Sequence, residues 1–127
     1  MPPNAVSKYL RTVSSGFLIQ RNAASYTIRL QIRKLLPENA IIVLNFENPD
    51  TRAVSLDVVY EPKIGQREFF VESPSFRCID NNKLYRVEVT LFTDHERSGI
   101  LGTHEQMVAF YIDPQALSAW RIPECHQ

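Results

Sequence analysis

The feature that most restricts this chain is a period-two alternation of apolar and polar residues. In SYTIRLQIRKL, Tyr26, Ile28, Leu30 and Ile32 fall on one side, and Thr27, Arg29, Gln31 and Arg33 on the other. Successive side chains of a strand point to opposite faces, so this pattern buries one face and wets the other only as a β-strand. KLYRVEVTLF repeats the pattern, setting Tyr85, Val87, Val89 and Leu91 against Arg86, Glu88 and Thr90. RTVSSGFLIQ, AIIVLNF, AVSLDVVYEP, QREFFVESP and EQMVAFYID add further strand candidates, parted by turn signals such as LPENA and ENPDT. About seven short strands with no crossover helix predict an all-β fold, an antiparallel two-sheet β-sandwich, and exclude a parallel α/β architecture. No internal repeat or linker interrupts residues 1–127, which read as one domain of ordinary size.

Charge narrows the range of partners. Fourteen basic residues balance fourteen acidic ones. Nucleic acid and anionic membranes are both recognised by clustered positive charge, so no nucleic-acid partner is expected and a lipid surface is disfavoured. No apolar run approaches the roughly 20 residues that span a bilayer, so no transmembrane segment is expected. MPPNAVSKYLRTVSSG lacks the apolar centre of a secretory leader, which favours the cytoplasm unless a leader has been trimmed. Cys78 and Cys125 leave the redox question open: two cysteines fall short of a disulfide framework, although a bond between them would close a long loop.

Both ends carry helical spacing. DPQALSAW offers Asp113 as N-cap, Pro114 at the first helical position, and Leu117 and Trp120 three apart. NAVSKYLRTV offers Asn4 as cap, with Val6, Tyr9, Leu10 and Val13 on one face. These segments matter because AIIVLNF breaks the alternation rule. If Ile42, Leu44 and Phe46 face the core, Ile41 and Val43 lie on the other face, joined there by Val59, while Phe69 and Phe70 take opposite sides. A sheet apolar on both faces needs a cover. The expected cover is residues 6–13 or 117–120, and self-association or another protein is the alternative.

IDNNKLYRVEVTLF resembles the strand-F region of immunoglobulin-like and fibronectin-like sandwiches, in which a turn rich in Asp and Asn precedes Tyr-x-Val-x-Val. The resemblance implies an immunoglobulin-like sandwich whose Tyr85 is buried, with its hydroxyl bonded to backbone in the preceding turn. Val87 stands where antibody domains have a cysteine, so the likeness concerns architecture only. A second segment, LFTDHERSGILGTHE, is similar to the acidic-loop and apolar-Gly step of calcium- and phospholipid-binding sandwich domains of the protein kinase C type. That likeness would make residues 94–104 a ligand loop. The family gathers several aspartates, however, whereas Arg97 here follows Asp94, His95 and Glu96, and a guanidinium opposes calcium.

The same loop is the main chemical candidate. Asp94, His95, Glu96, Arg97 and His104 cluster there, and His95 and His104 with Asp94 or Glu105 as third ligand would supply zinc-type donors, but no Cys-x-x-Cys or His-Glu-x-x-His spacing accompanies them. They read as a solvated hairpin tip turning at Ser98–Gly99, tolerant of substitution. There is no nucleophile elbow and no phosphate-binding glycine loop. Glu68 and Glu72 share a face that reads as solvent, and His126 sits in the tail. No cofactor is expected. The sequence predicts a non-catalytic interaction or accessory domain acting through Ile41, Val43, Val59 and the loop residues Asp94, His95, Glu96, Arg97 and His104. A small-ligand or calcium/phospholipid-binding sandwich using the 94–104 loop, with loops near Pro49, is the alternative.

Overall fold

The computed structural model describes residues 2–125; His126 lies outside the described residues, and so does the side chain of Leu117. Seven strands follow in order: β1 (Leu10–Gln20), β2 (Ala23–Ile32), β3 (Ile41–Phe46), β4 (Leu56–Tyr60), β5 (Glu68–Glu72), β6 (Lys83–Phe92) and β7 (Ile100–Phe110). One short helix, α1 (Pro114–Ala119), comes after them. The strands form two antiparallel sheets in the orders β1-β2-β5 and β4-β3-β6-β7. The β-sandwich expected from the alternation is the fold.

The inward positions are those that the alternation assigns. Ile28, Leu30, Ile42, Leu44, Val87, Val89 and Leu91 are all fully or almost fully buried between the sheets. Phe69 is buried and Phe70 half exposed on the outer face, where the Arg29 guanidinium lies over its ring. Because consecutive strands run antiparallel, loops alternate between the two ends of the sandwich. The β1–β2, β3–β4 and β5–β6 connections share one end with the C-terminal tail. The β2–β3, β4–β5 and β6–β7 connections share the other with the N-terminal segment.

The first of these ends is closed. Phe17, Tyr26, Phe46, Phe76, Tyr85 and Phe110 form a cluster with ring centroids 4.8–6.4 Å apart, mostly tilted or edge-on. Tyr85 is buried, as its resemblance to the strand-F tyrosine implies, and its hydroxyl accepts the Asp80 N–H at 2.8 Å. Burial pushes the Tyr85 phenol up to about 12, and the same cause raises Tyr26, whose hydroxyl donates to the Glu47 carbonyl. The tail seals this end. Asp113 caps α1 by accepting the Gln115 N–H, as its position before Pro114 predicts. Cys78 and Cys125 are joined in a disulfide.

The ends correct two expectations. Residues 4–13 form no helix: strand β1 begins at Leu10, and Val6 makes an isolated bridge to Arg11. Leu10 and Thr12 are both fully buried, so strand pairing with β2 overrides the helical spacing. Nor does either terminus cover the outer face of the β4-β3-β6-β7 sheet. The N-terminal segment becomes an edge strand, and the tail crosses the closed end. Its buried anchor there is Ile122, whereas Trp120 remains 45% exposed.

Candidate functional site

Part of the outer face of the larger sheet is buried within the chain itself. Ile41 and Val43, expected to await a cover, are only 2% and 5% exposed, while Val59 stays half exposed. Register explains this. Ile42 pairs with Tyr60 and Ile41 with Phe92, so one row across the sheet runs Glu61, Ile41, Phe92. The β6–β7 loop folds back onto both ends of that row. His95 Nε2 lies 2.9 Å from Glu61 Oε1, and the Arg97 guanidinium sits 5.5 Å from the Phe92 ring centroid. Val43 lies one row on, flanked by Val59 and Thr90. Ile41 and Val43 are therefore buried within this chain and offer almost no exposed surface, with the β6–β7 loop lying at both ends of the Ile41 row.

The loop is a tight turn one step earlier than Ser98–Gly99. The Arg97 N–H bonds to the Asp94 carbonyl, and Arg97 takes the left-handed conformation at φ +59°. The Asp94 carboxylate accepts the Ser98 N–H and the Ser98 hydroxyl, and these bonds hold its pKa below the usual carboxylate value. Asp94 thus closes its own loop, and His95 turns toward Glu61. Glu96 is exposed.

His104 is not in this loop. Strand β7 starts at Ile100, so His104 is inside the strand, paired with Val89 and 3% exposed. Its Nδ1 lies 2.7 Å from the Ser7 hydroxyl and its Nε2 2.8 Å from the Thr12 hydroxyl. Burial lowers its pKa, favouring the neutral ring, which offers one donor and one acceptor to two hydroxyls that can serve either way. Gln106, two residues on and also buried, accepts the Ala5 N–H and donates to the Pro3 carbonyl. His104 and Gln106 are the buried polar clasp that holds residues 3–12 against the edge of β7. The Ser7–His104 contact has the form of a nucleophile–base pair, but a threonine hydroxyl stands where an orienting carboxylate would be needed.

Asp94, His95, Glu96 and His104 are thus not brought together. Among the described residues, the one set of three or more His, Cys, Asp or Glu ligand atoms within 4.8 Å of one another is Asp50, Cys78 and Cys125. Two of these are sulfurs already joined to each other. Asp50 is engaged structurally, accepting the Arg77 and Cys78 N–H groups at 3.0 Å.

Two concavities among the described residues bear on a site. One, of about 590 Å3, opens on the outer face of the larger sheet beside Asn45, Arg52, Lys83 and Arg86. Its charges are mixed: Lys83 faces Glu47 at 3.7 Å, and Arg86 faces Glu88 and Glu105. The other, of about 290 Å3, lies between the β2–β3 and β4–β5 loops at the open end. Sequence reasoning missed this second cavity. Its walls lie about 30 residues apart in the chain, and the one available signal was the aliphatic tips Leu35 and Ile64 set among basic residues.

No protein-family model and no curated protein matches this sequence. Solved structures do resemble it. Bacteroides uniformis β-glucuronidase 2, in a D341A D367A calcium-binding mutant, matches with a TM-score of 0.51 at 19% identity. The same enzyme covalently bound to cyclophellitol-6-carboxylate aziridine matches with a TM-score of 0.51 at 22% identity. Each match covers 80% of this chain and 13% of the glucuronidase chain. At such identity the likeness is one of fold: this chain matches a small β-sandwich portion of a much larger enzyme.

Proposed function

We propose that this chain is a non-catalytic accessory or interaction domain of immunoglobulin-like build, working through the loops at its open end. The observation that carries the reading is the grouping of the β2–β3, β4–β5 and β6–β7 loops at one end, opposite an end closed by aromatic packing and a disulfide. Rigid sandwiches that present loops at one end are a common basis for recognition. The strand order β1-β2-β5 against β4-β3-β6-β7, with a corner tyrosine on β6, supports the immunoglobulin-like build. The match to 13% of a glycosidase chain supports an accessory role. Of the surface expected from sequence, Val59, Asp94, His95, Glu96 and Arg97 remain available to a partner. Paired cysteines favour an oxidising compartment over the cytoplasm.

Site-specific photocrosslinking in the producing cell tests this reading. A crosslinker placed at Glu96 or Ile100 should give adducts with a second polypeptide, whereas one at Arg52 or Tyr111, toward the closed end, should not. Adducts only at the closed end, or turnover of chromogenic glycosides or esters by the purified chain, would overturn it.

A further inference from the structure

We infer that the groove between residues 33–38 and 62–67 is a docking site for an extended acidic protein segment that inserts an aliphatic side chain. This deepens the proposed function and rests on the reading of the open end as a recognition end.

Three observations converge on the groove. The first is misplaced apolar surface. Leu35 and Ile64 are 84% and 81% exposed, more than any other large hydrophobic residue described, and they stand on opposite walls of one 290 Å3 cavity. Half-buried Leu36, packed against the core, joins the lining. A single exposed aliphatic residue is unremarkable, but two facing each other across a concavity form an apolar slot.

The second is charge. Arg33, Lys34, Lys63 and Arg67 line the cavity against Glu38 alone, on a chain whose fourteen basic and fourteen acidic residues cancel. Among the described residues none of these four cations is ion-paired; Arg33 donates to the Ser7 carbonyl, and Lys34, Lys63 and Arg67 point no charge at a carboxylate. Such a concentration favours a negatively charged occupant.

The third is preorganisation. The Ile32 N–H bonds to the Arg67 carbonyl at 2.7 Å and ties the two loops at their base. Gln66 accepts the Lys63 N–H and donates to the Tyr60 hydroxyl and the Glu68 carbonyl, while Gly65 takes φ +77° at the turn. Pro37 and Pro62 restrict both walls further. The aliphatic tips are therefore held outward by a hydrogen-bonded frame, which lowers the ordering cost of binding.

The neighbouring loop selects the class of occupant. Asp94 and Glu96 outnumber the one basic residue, Arg97, on the third loop of the same end. A broad anionic membrane would meet those carboxylates together with the basic groove, whereas a narrow peptide can follow the groove and avoid them.

The test titrates the isotope-labelled full chain with the peptide acetyl-Gly-Asp-Glu-Leu-Asp-Glu-Gly-amide at low salt and follows backbone amide shifts. Saturable shifts confined to residues 33–38 and 62–67 are expected. They should weaken at least tenfold in Lys63→Glu/Arg67→Glu, and at least fivefold when the peptide leucine becomes serine. Lys83→Glu, at the other end, should change nothing. Absence of groove shifts at millimolar peptide, or equal binding of the serine peptide, overturns the inference. Binding to phosphatidylserine vesicles without peptide binding overturns it in favour of a lipid surface. If crosslinks form at Glu96 or Ile100 while the groove ignores the peptide, the recognition reading stands and this inference alone fails.

Discussion

The two ends of the sandwich are built on different principles. At the closed end, six aromatic rings pack together, Tyr85 and Tyr26 bond to backbone, and a disulfide ties the tail to the β5–β6 loop. At the open end the core is aliphatic apart from Tyr9 and the Tyr60–Phe69 stack, and polar contacts do the fastening: His104 and Gln106 clasp the N-terminal segment, and Gln66 and Asp94 brace two loops. Aromatic burial and a covalent link contribute stability without regard to what the surface presents. Local hydrogen bonds fix loop shape while leaving side chains such as Leu35 and Ile64 free. A recognition surface belongs where shape can be held without using up the side chains that must make contact.

The contrast breaks most severely if the disulfide is dispensable. The bond closes a separation of 47 residues, for which chain entropy gives a stabilisation of about 4 kcal/mol. Cys78→Ala/Cys125→Ala should lower the unfolding free energy by about 2–5 kcal/mol in a denaturant titration. A loss below about 1 kcal/mol would mean that the closed end is held by its rings alone.

The open end's counterpart is His104. His104→Ala should cost about 2–3 kcal/mol, because it leaves the buried Thr12 hydroxyl without its partner and opens a space beside it. The pH dependence has a definite sign. Burial sets the folded-state pKa of His104 below its ordinary 6.5, so the unfolded chain takes up the proton first on acidification. Its contribution is complete above about pH 6.5 and declines as pH falls toward the folded-state value, by at most about 1.4 kcal/mol per pH unit. His104→Gln should flatten that slope. An unchanged slope between pH 7 and 5 would show that His104 is not the titrating clasp.

Tyr85→Phe tests the smaller, polar part of the closed end. The hydroxyl accepts one backbone N–H, so its loss should cost about 0.5–1.5 kcal/mol with the ring packing retained. No change in the unfolding midpoint would reduce the corner to a packing contact.

The sequence was most legible where one physical rule acts alone. Alternation places β2, β4 and β6 because a half-buried strand has no other way to separate its faces, and the Asp113–Pro114 cap places α1 because capping is local. It was least legible where distant parts decide. His104 and Gln106 occupy inward positions of β7, but polar side chains there mask the alternation that would have started the strand at Ile100. Residues 6–13 carry helical spacing and strand alternation together, and pairing with β2 decides between them. Ile41 and Val43 were readable as apolar on the outer face, but their burial, and a loop that folds back to Glu61 and Phe92 beside Ile41, were not. Two cysteines carried no indication of their pairing until the tail was seen to cross the β5–β6 loop.

The smallest expected effect concerns the β6–β7 loop, where the two ends should differ most in tolerance. His95 and Glu61 are 55% and 69% exposed, so their contact is screened by water, and exposed pairs contribute little. His95→Ala and Glu96→Ala should each change the unfolding free energy by no more than about 0.5 kcal/mol. Arg97→Ala should lie near the same bound, since it gives up a surface contact with the Phe92 ring while keeping a left-handed backbone. If His95→Ala costs more than about 1.5 kcal/mol, the loop is a structural lid over Ile41, and the open end is fastened as firmly as the closed one. If it costs nothing but abolishes crosslinking from Glu96, the loop's side chains serve the partner and its backbone alone serves the fold.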